Sequence, residues 1–322
     1  MVKKEIGGFF ELELRNESEF HSGAYRYNSA RSALYHLIKG TDIKKIFLPY
    51  YICNSVLEPL VDLGVELEFY QIDESFQPIF PINLVDGRDC ILYINYFGVN
   101  ASTARKIGDS GYPIIFDYTQ AFFDDPIEEK ATIYSPRKFL GVPDGGYLYS
   151  NFNLPSVEED KSYGRMDFLT KRIDCSAQES YDLFQLNEMR ITQAGYLGMS
   201  RLTKRLLESI DYQNVKKTRF ENFCYLHKEL ESVNELTFDV DELTAPMVYP
   251  LLIPKEGIRE KLIDNKIFVA TYWESILHST KKDWFEHRLA QYMIPLPIDQ
   301  RYGYEDMASI VEILRRVSGI LR

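Results

Sequence analysis

Short apolar runs alternate with helical stretches along the first half of the chain, and this alternation limits the possible folds more than any other feature. The runs are KKIFLP, ELEFYQI, CILYINYF, PIIFDY and GYLYS, all between residues 44 and 150. Strands that alternate with helices form a mostly parallel sheet with crossover helices. Ligands of such sheets bind at the carboxyl ends of the strands. We therefore predict an α/β fold with a site near Asn95, Asp117 and the segment before Lys138.

The chain has 322 residues, which is long enough for two domains. We expect an N-terminal arm over residues 1–20, with a strand in GGFFELEL (7–14), and a large domain over residues 21–205. Residues 206–322 are predicted to form a smaller α+β domain. Its indicators are a long amphipathic stretch from SRLTKRLL onwards, the run APMVYPLLIP and a terminal helix in GYEDMASIVEILRRVSGIL.

Composition excludes several classes of protein. A net charge of -11 and a pI near 5.1 argue against a nucleic-acid partner, which would need a basic face. No run approaches the roughly 18 apolar residues of a membrane span, and acids interrupt the N-terminus before any signal-peptide core. The four cysteines lack C-x-x-C spacing and the five histidines form no ligand pattern. We expect a cytoplasmic protein with free, buried thiols and no metal site.

Two residues suggest cofactor chemistry. Asp117 directly follows the apolar run YPIIF, and Lys138 follows twenty-one residues later, before the turn Asp144-Gly145-Gly146. A lysine amine can form a Schiff base with the aldehyde of pyridoxal phosphate (PLP), while a carboxylate keeps the pyridine nitrogen protonated. Each residue also has a plainer interpretation, as a solvated surface charge or a strand-end group. Their order and spacing favour the PLP interpretation.

The segment NSARSALYHLI predicts a helix whose N-terminus could bind a phosphate. Asn28 or Ser29 would cap it, and apolar residues follow at helical spacing. Free backbone N–H groups and the positive end of the helix dipole suit a phosphate, to which Arg31 and Ser32 would add a charge and a hydroxyl. An ordinary capped amphipathic helix explains the same pattern.

These segments resemble the DegT-type sugar aminotransferases, PLP enzymes of fold type I, and the resemblance covers nearly the whole chain. The family pattern E-D-A-A-Q/H-A is similar to FDYTQA (116–121), and S-F-x-x-x-K with its E-G-G turn is similar to IYSPRKFLGVPDGG (133–146). ARSAL (30–34) is similar to the phosphate-binding G-T-x-A-L. The resemblance implies that Asp117 contacts the pyridine nitrogen, Gln120 lies over the phenolic oxygen of PLP, and Lys138 is the Schiff-base lysine.

One departure from the family concerns the ring that stacks on PLP. The family's P-x-x-x-aromatic pattern, counted from Pro49, places Cys53 at the aromatic position. Tyr50 or Tyr51 would supply the ring instead, or Cys53 itself packs on the cofactor as a small polarizable group. Tyr51 is also a candidate substrate contact.

Other departures concern the phosphate and the edge of the site. Ile133 stands where the family has a phosphate-binding serine, and Ser135, three residues before Lys138, is the expected substitute. YINYFGV is similar to the family's V-H-x-x-G strand end, with Asn95 in place of histidine. Asn95 is therefore predicted at the edge of the cofactor site.

Candidate substrate residues come from the C-terminal part. Tyr272 and Trp273, in ATYWESIL, match a family segment that borders the substrate, although burial in the core explains them equally well. Arg301, in PLPIDQRYGYEDM, could bind a carboxylate or phosphate. A structural ion pair explains it as readily, with one of three acidic partners: Asp299, Glu305 or Asp306.

The resemblance implies an aminotransferase that moves an amino group from an amino acid such as glutamate to a keto sugar, in nucleotide-linked form. It also implies a homodimer in which the middle region, residues 151–200, completes the neighbour's active site. Two alternatives remain. One is a same-fold PLP enzyme with lyase or dehydratase chemistry, against which Lys138 argues because that variant carries histidine there. The other is a non-catalytic PLP-binding or nucleotide-sugar-binding regulator.

Overall fold

The computed structural model describes residues 6–79 and 87–319. Its main sheet contains β1 to β8, in chain order: Tyr25–Tyr27, Lys45–Pro49, Glu66–Ile72, Pro78–Ile79, Asp89–Ile94, Ile114–Tyr118, Ala131–Tyr134 and Gly146–Tyr149. A second sheet pairs β9 (Tyr249–Leu252) with β10 (Met293–Leu296). The helices α1 to α11 are Ala30–Lys39, Leu57–Asp62, Ala101–Gly108, Asp167–Asp174, Ala177–Ala194, Arg201–Leu207, Tyr212–Leu230, Ile258–Asp264, Ile276–Ser279, Phe285–Tyr292 and Tyr304–Ser318.

The main sheet is mostly parallel, which confirms the predicted α/β class. Its strand order is β1-β8-β7-β6-β5-β2-β3-β4. The strands from β7 through β6, β5 and β2 to β3 pair in parallel, whereas β8, β1 and β4 pair antiparallel at the two edges. All five apolar runs that predict strands contain one. In the register of the central strands, Asp117 lies between Ile94 and Ile133, so the loops after β5, β6 and β7 leave the sheet side by side.

The described residues form two hydrophobic cores. The larger packs both faces of the main sheet, and β6 is buried along its whole length. The smaller core lies among α7, α8, α11, β9 and β10, and includes Phe223, Leu251, Leu262 and Leu314. The division at residues 205 and 206 stays a prediction. The long amphipathic stretch is two helices, because Asp211 caps α7 by accepting a hydrogen bond from the Asn214 backbone N–H.

Two expectations are wrong. Residues 7–14 form no strand in the described structure: alternating Phe, Glu and Leu residues favour a strand, but no neighbouring strand pairs with them. Phe9 and Phe10 are accordingly almost fully exposed. The four cysteines are free, but they are not all buried: Cys90 is, whereas Cys175 follows α4 and is exposed.

Within residues 6–79 and 87–319, no helix combines the length and the apolar character that a membrane span requires.

Candidate active site

Asp117 stands near the end of the central strand β6, at the carboxyl edge of the sheet. Its side chain is buried, with 7% of the residue exposed. One carboxylate oxygen, Oδ1, accepts a hydrogen bond of 2.9 Å from the Thr119 backbone N–H. No donor from the described residues is hydrogen bonded to the other oxygen, which can therefore receive a ligand's N–H.

Lys138 ends a 3-10 turn, Pro136–Lys138, that directly follows the neighbouring strand β7. Its Nζ donates a hydrogen bond of 2.8 Å to Thr119 Oγ1. Lys138 is exposed to solvent through a cleft, yet protein surrounds it closely, and this desolvation lowers its pKa. The neighbouring Asp117 and Cys53 raise the pKa of Lys138, and Arg137 lowers it together with the desolvation. Thr119 thus joins the candidate lysine and the candidate carboxylate.

The turn Asp144-Gly145-Gly146 fixes the start of α1 beside the site. The Gly145 N–H donates to the Asn28 carbonyl at 2.7 Å, and Gly145 has a φ of +130° that favours glycine. A Cβ on Gly146 would lie 2.3 Å from the Ser29 carbonyl carbon, so a larger residue does not fit. Asp144 is held in turn by the Ser200 backbone N–H and hydroxyl, at 3.1 and 2.6 Å.

Most of the side chains predicted to bind a phosphate are bonded to other parts of the protein. Ser29 caps α1 as predicted, accepting from the Ser32 backbone N–H at 3.1 Å. The Ser32 side chain is fully buried and bonded to Asn28 and Ser29. Arg31 contacts Glu58 and donates to Thr192 Oγ1 at 2.8 Å. Ser135 is buried at the start of the Lys138 turn. Phosphate binding by these residues stays a prediction.

Gln120 and Asn95 both bond to neighbouring backbone. The Gln120 side-chain oxygen accepts from the Phe97 N–H at 2.9 Å. Asn95 donates to the Asp124 carboxylate at 2.8 Å and accepts from the Asn100 N–H at 3.1 Å. Burial raises the pKa of Asp124 to about 6. The Asn95 amide is thus occupied on both sides by the protein, and its contact with a cofactor stays a prediction.

Aromatic residues line one side of the site. The Tyr51 ring is completely buried, 5.1 Å from the Trp273 ring, and its hydroxyl has no hydrogen-bond partner among the described residues. Tyr272 lies next to Trp273, their ring centroids 5.5 Å apart, and Cys53 influences the titration of both Tyr272 and Lys138. Tyr50 instead stacks on Phe69. Of the two tyrosine candidates, Tyr51 is therefore the one that packs with these residues.

A cleft of about 1430 Å³ opens beside Lys138. One side is the helical hairpin formed by α4 and α5, and the other includes Lys266, Phe268 and Arg301. Arg301 forms a bidentate ion pair with Asp299, at 2.6 and 2.9 Å, which is one of the three pairs weighed from the sequence. Arg301 and Lys138 both line this cleft.

Three residues near Lys138 are not distinguished by the sequence. Thr119 lies inside the FDYTQA motif, but the resemblance assigns roles only to its neighbours Asp117 and Gln120. Arg137 precedes Lys138 and pairs with Glu188, and burial lowers its pKa to about 10. Arg219 has the spacing of an ordinary helix residue, but it is 2% exposed and donates to the carbonyls of Phe139 and Met247. The burial of this arginine gives no sequence signal, because most of its partners are backbone carbonyls, which every residue carries.

Comparison with known proteins identifies the fold. No protein-family model matches the sequence, and no curated protein matches it. Three solved structures of the same fold are Spr1654 from Streptococcus pneumoniae in its PLP form, DesI in the presence of its TDP-sugar product, and a DegT DnrJ EryC1 StrS aminotransferase from Brucella abortus.

These similarities span nearly the full chains. The TM-scores are 0.64, 0.63 and 0.60, at 14%, 16% and 16% sequence identity, and each alignment covers 92% of this chain. It covers 87%, 81% and 86% of the three solved chains, respectively. At such low identity the similarity establishes the fold alone. The chain therefore has the predicted fold of the PLP aminotransferases.

Proposed function

We propose that this chain is a PLP-dependent sugar aminotransferase of the DegT type, which moves an amino group from an amino acid to a keto sugar. Glutamate is the expected amino donor. One observation carries the proposal. At the carboxyl edge of a fold shared with aminotransferases, Lys138 and Asp117 bond to the same residue, Thr119. Two residues brought together from strand β6 and the turn after β7 are a stronger indication than either sequence motif alone.

The residues present fit PLP. The Lys138 amine is accessible and has a lowered pKa, as a residue that binds an aldehyde requires. Asp117 has an oxygen available for the pyridine N–H, and the first-turn amides of α1 are the groups expected to meet the phosphate. When bound, PLP supplies an electron sink for the carbon that bears the amino group.

The chain's own groups would then perform the proton transfers. Lys138, whose pKa is lowered because desolvation disfavours its charged form, would take the proton from the donor's α-carbon and return it later as a general acid. Asp117 would keep the pyridine nitrogen protonated. The buried Tyr51 and the half-buried Tyr272 and Trp273 would exclude water from one side of the reacting groups.

The cleft beside Lys138 is the proposed place of the sugar. Its volume of about 1430 Å³ exceeds what a monosaccharide needs, and it is lined by cationic and aromatic side chains, including Arg172, Lys266, Phe168 and Tyr181. Cationic side chains can bind a diphosphate, and aromatic rings can stack on a nucleotide base. The name of the DesI structure includes a TDP-sugar product, which supports a nucleotide-linked substrate here.

A homodimer is part of the proposal. Helix α4 has no buried residue, and the α4–α5 hairpin exposes Ile173, Tyr181 and Phe184. Such an apolar surface is typical of an interface. A second copy of the chain would cover this hairpin and complete the cleft beside it. We place the enzyme in the cytoplasm, where four free cysteines stay reduced.

An amino-donor titration tests the proposed function. Protein loaded with PLP and freed of excess cofactor is mixed with glutamate, and the visible spectrum and 2-oxoglutarate are followed. We expect a spectral shift with one keto acid formed per site, and neither in Lys138→Ala. A regulator that only binds PLP would leave the spectrum unchanged and form no keto acid, which would refute the proposal.

A further inference from the structure

Thr119 is held between the two residues that the proposed function uses. It follows β6 and Ser135 follows β7, each one residue beyond the register pair of Tyr118 and Tyr134, so the loop that carries Lys138 starts beside Thr119. Thr119 is 6% exposed. Its backbone N–H donates to Asp117 Oδ1 at 2.9 Å, and its hydroxyl oxygen lies 2.8 Å from Lys138 Nζ.

This hydroxyl is not part of the family pattern that the segment resembles. The family pattern E-D-A-A-Q/H-A has alanine where FDYTQA has Thr119. Alanine could not contact the lysine amine through its side chain. Any effect of the Thr119 hydroxyl on Lys138 is therefore additional to the residue roles that the motif implies.

We propose that Thr119 is a positioning residue that holds the free amine of Lys138 beside Asp117. The proposal rests on the proposed function for its purpose, since an amine that is released and used again must stay near the reacting carbon. Lysine has a long stem with much rotamer freedom, and one well-placed partner removes part of that freedom. Thr119 is suited to this because its β-branched side chain has few rotamers and its backbone is fixed on Asp117.

A hydroxyl can keep this contact in both protonation states of the amine. An ammonium group has donors only, so Thr119 Oγ1 accepts from it; a neutral amine has a lone pair, to which the Thr119 hydroxyl can donate. The hydrogen bond to the charged form is the stronger of the two. Thr119 therefore acts against the desolvation of Lys138 and favours its protonated form.

The other charged groups around the amine do not replace this contact. Asp117 and Cys53 favour the ammonium and Arg137 opposes it, all through space. Within the described residues, Thr119 Oγ1 is the hydrogen-bond acceptor that the structure gives to Lys138 Nζ. Removing the hydroxyl while keeping the volume of the side chain should therefore move the titration of Lys138 without changing its charged neighbours.

The test uses the full-length protein without PLP, and so does not depend on the reaction. Trinitrobenzenesulfonate labels neutral amines, and mass spectrometry of the peptide containing Lys138 gives the labelling rate at each pH. In Thr119→Val we expect the midpoint of the rate profile to move to lower pH. We also expect labelling at pH 8 to be about three- to tenfold faster, because the ammonium loses a charge-assisted acceptor. Thr119→Ser should retain the wild-type profile.

Controls separate positioning from a loss of folding. Lys45, at the amino end of β2 and bridged to Glu66 and Glu68 of β3, should label at the same rate in all variants. A Thr119→Val profile identical to wild type would overturn the proposal, and so would a Thr119→Ser profile that matched Thr119→Val. Should the Lys138 profile shift as expected while the amino-donor titration fails, the proposed function is wrong and the contact between Thr119 and Lys138 stands.

Discussion

At the scale of single residues, the two oxygens of Asp117 have different neighbours, which makes Asp117→Asn an informative variant. Oδ1 accepts from Thr119 N–H, and an asparagine oxygen can do the same, so the loop should keep its shape. An amide cannot keep the pyridine nitrogen of PLP protonated. We expect half-transamination to slow on the order of 10²-fold or more, with PLP affinity changed less. Stopped-flow absorbance and a PLP titration measure the two effects, and near-normal turnover would show that the carboxylate is structural.

That Asp117 and Lys138 bind PLP stays a prediction, but their proximity at the carboxyl edge of the sheet was predictable, because a motif fixes residue types and spacing. Thr119 and Arg219 were not, because their importance comes from side-chain contacts between loops and helices far apart in the sequence. Arg31 also has partners in the folded chain that the sequence does not indicate. Its position at a helix start suggests a phosphate contact, yet the folded chain supplies Glu58 and Thr192 as partners.

At the scale of elements, the contact between β8 and the start of α1 is a strict requirement. A Cβ at position 146 would lie 2.3 to 2.6 Å from backbone atoms of Ser29 and Ala30, which cannot move like the end of a flexible side chain. Gly146→Ala should destabilise the fold by roughly 1–3 kcal/mol and weaken PLP binding by displacing the helix start. Gly164→Ala, where no atom lies within 4 Å of the added Cβ, is the matched control.

Urea unfolding and PLP titration measure both variants. Equal stabilities for Gly146→Ala and Gly164→Ala would contradict the close packing of β8 on α1. Four of the parallel strands follow from the sequence, because β2, β3, β5 and β6 each lie largely within a predicted apolar run, whereas the parallel strand β7 is not among those runs. Residues 7–14 show the opposite case: the segment has the composition of a strand but no neighbour to pair with, and pairing is a property that the segment alone does not contain.

At the scale of the whole molecule, Arg219 connects the Lys138 loop to the part of the chain with the second core. From α7 it donates to Phe139 O at 3.2 Å and Met247 O at 3.1 Å, with its guanidinium 4.7 Å from the Phe139 ring centroid. Arg219→Met would leave the Met247 carbonyl without this donor, whereas Gln300 still donates to the Phe139 carbonyl, and the substitution should cost on the order of 2–4 kcal/mol. Arg301→Ala removes an exposed ion pair and should cost less than about 1 kcal/mol.

Urea denaturation of the two arginine variants provides the comparison. A loss in Arg219→Met no larger than in Arg301→Ala would mean that Arg219 does not hold these segments together. The sequence predicts two domains from length and periodicity, but it gives no indication of this link, since a buried arginine with backbone partners resembles any arginine on a helix.

The central claim is that Lys138 binds PLP covalently, and borohydride trapping tests it most directly. Protein loaded with PLP is reduced with sodium borohydride, digested, and mapped by mass spectrometry for the pyridoxyl label. We expect the label on the peptide containing Lys138, its loss in Lys138→Ala, and its retention in Lys130→Ala, a lysine that donates to the Tyr112 carbonyl away from the cleft. A label that persisted undiminished in Lys138→Ala would contradict the account.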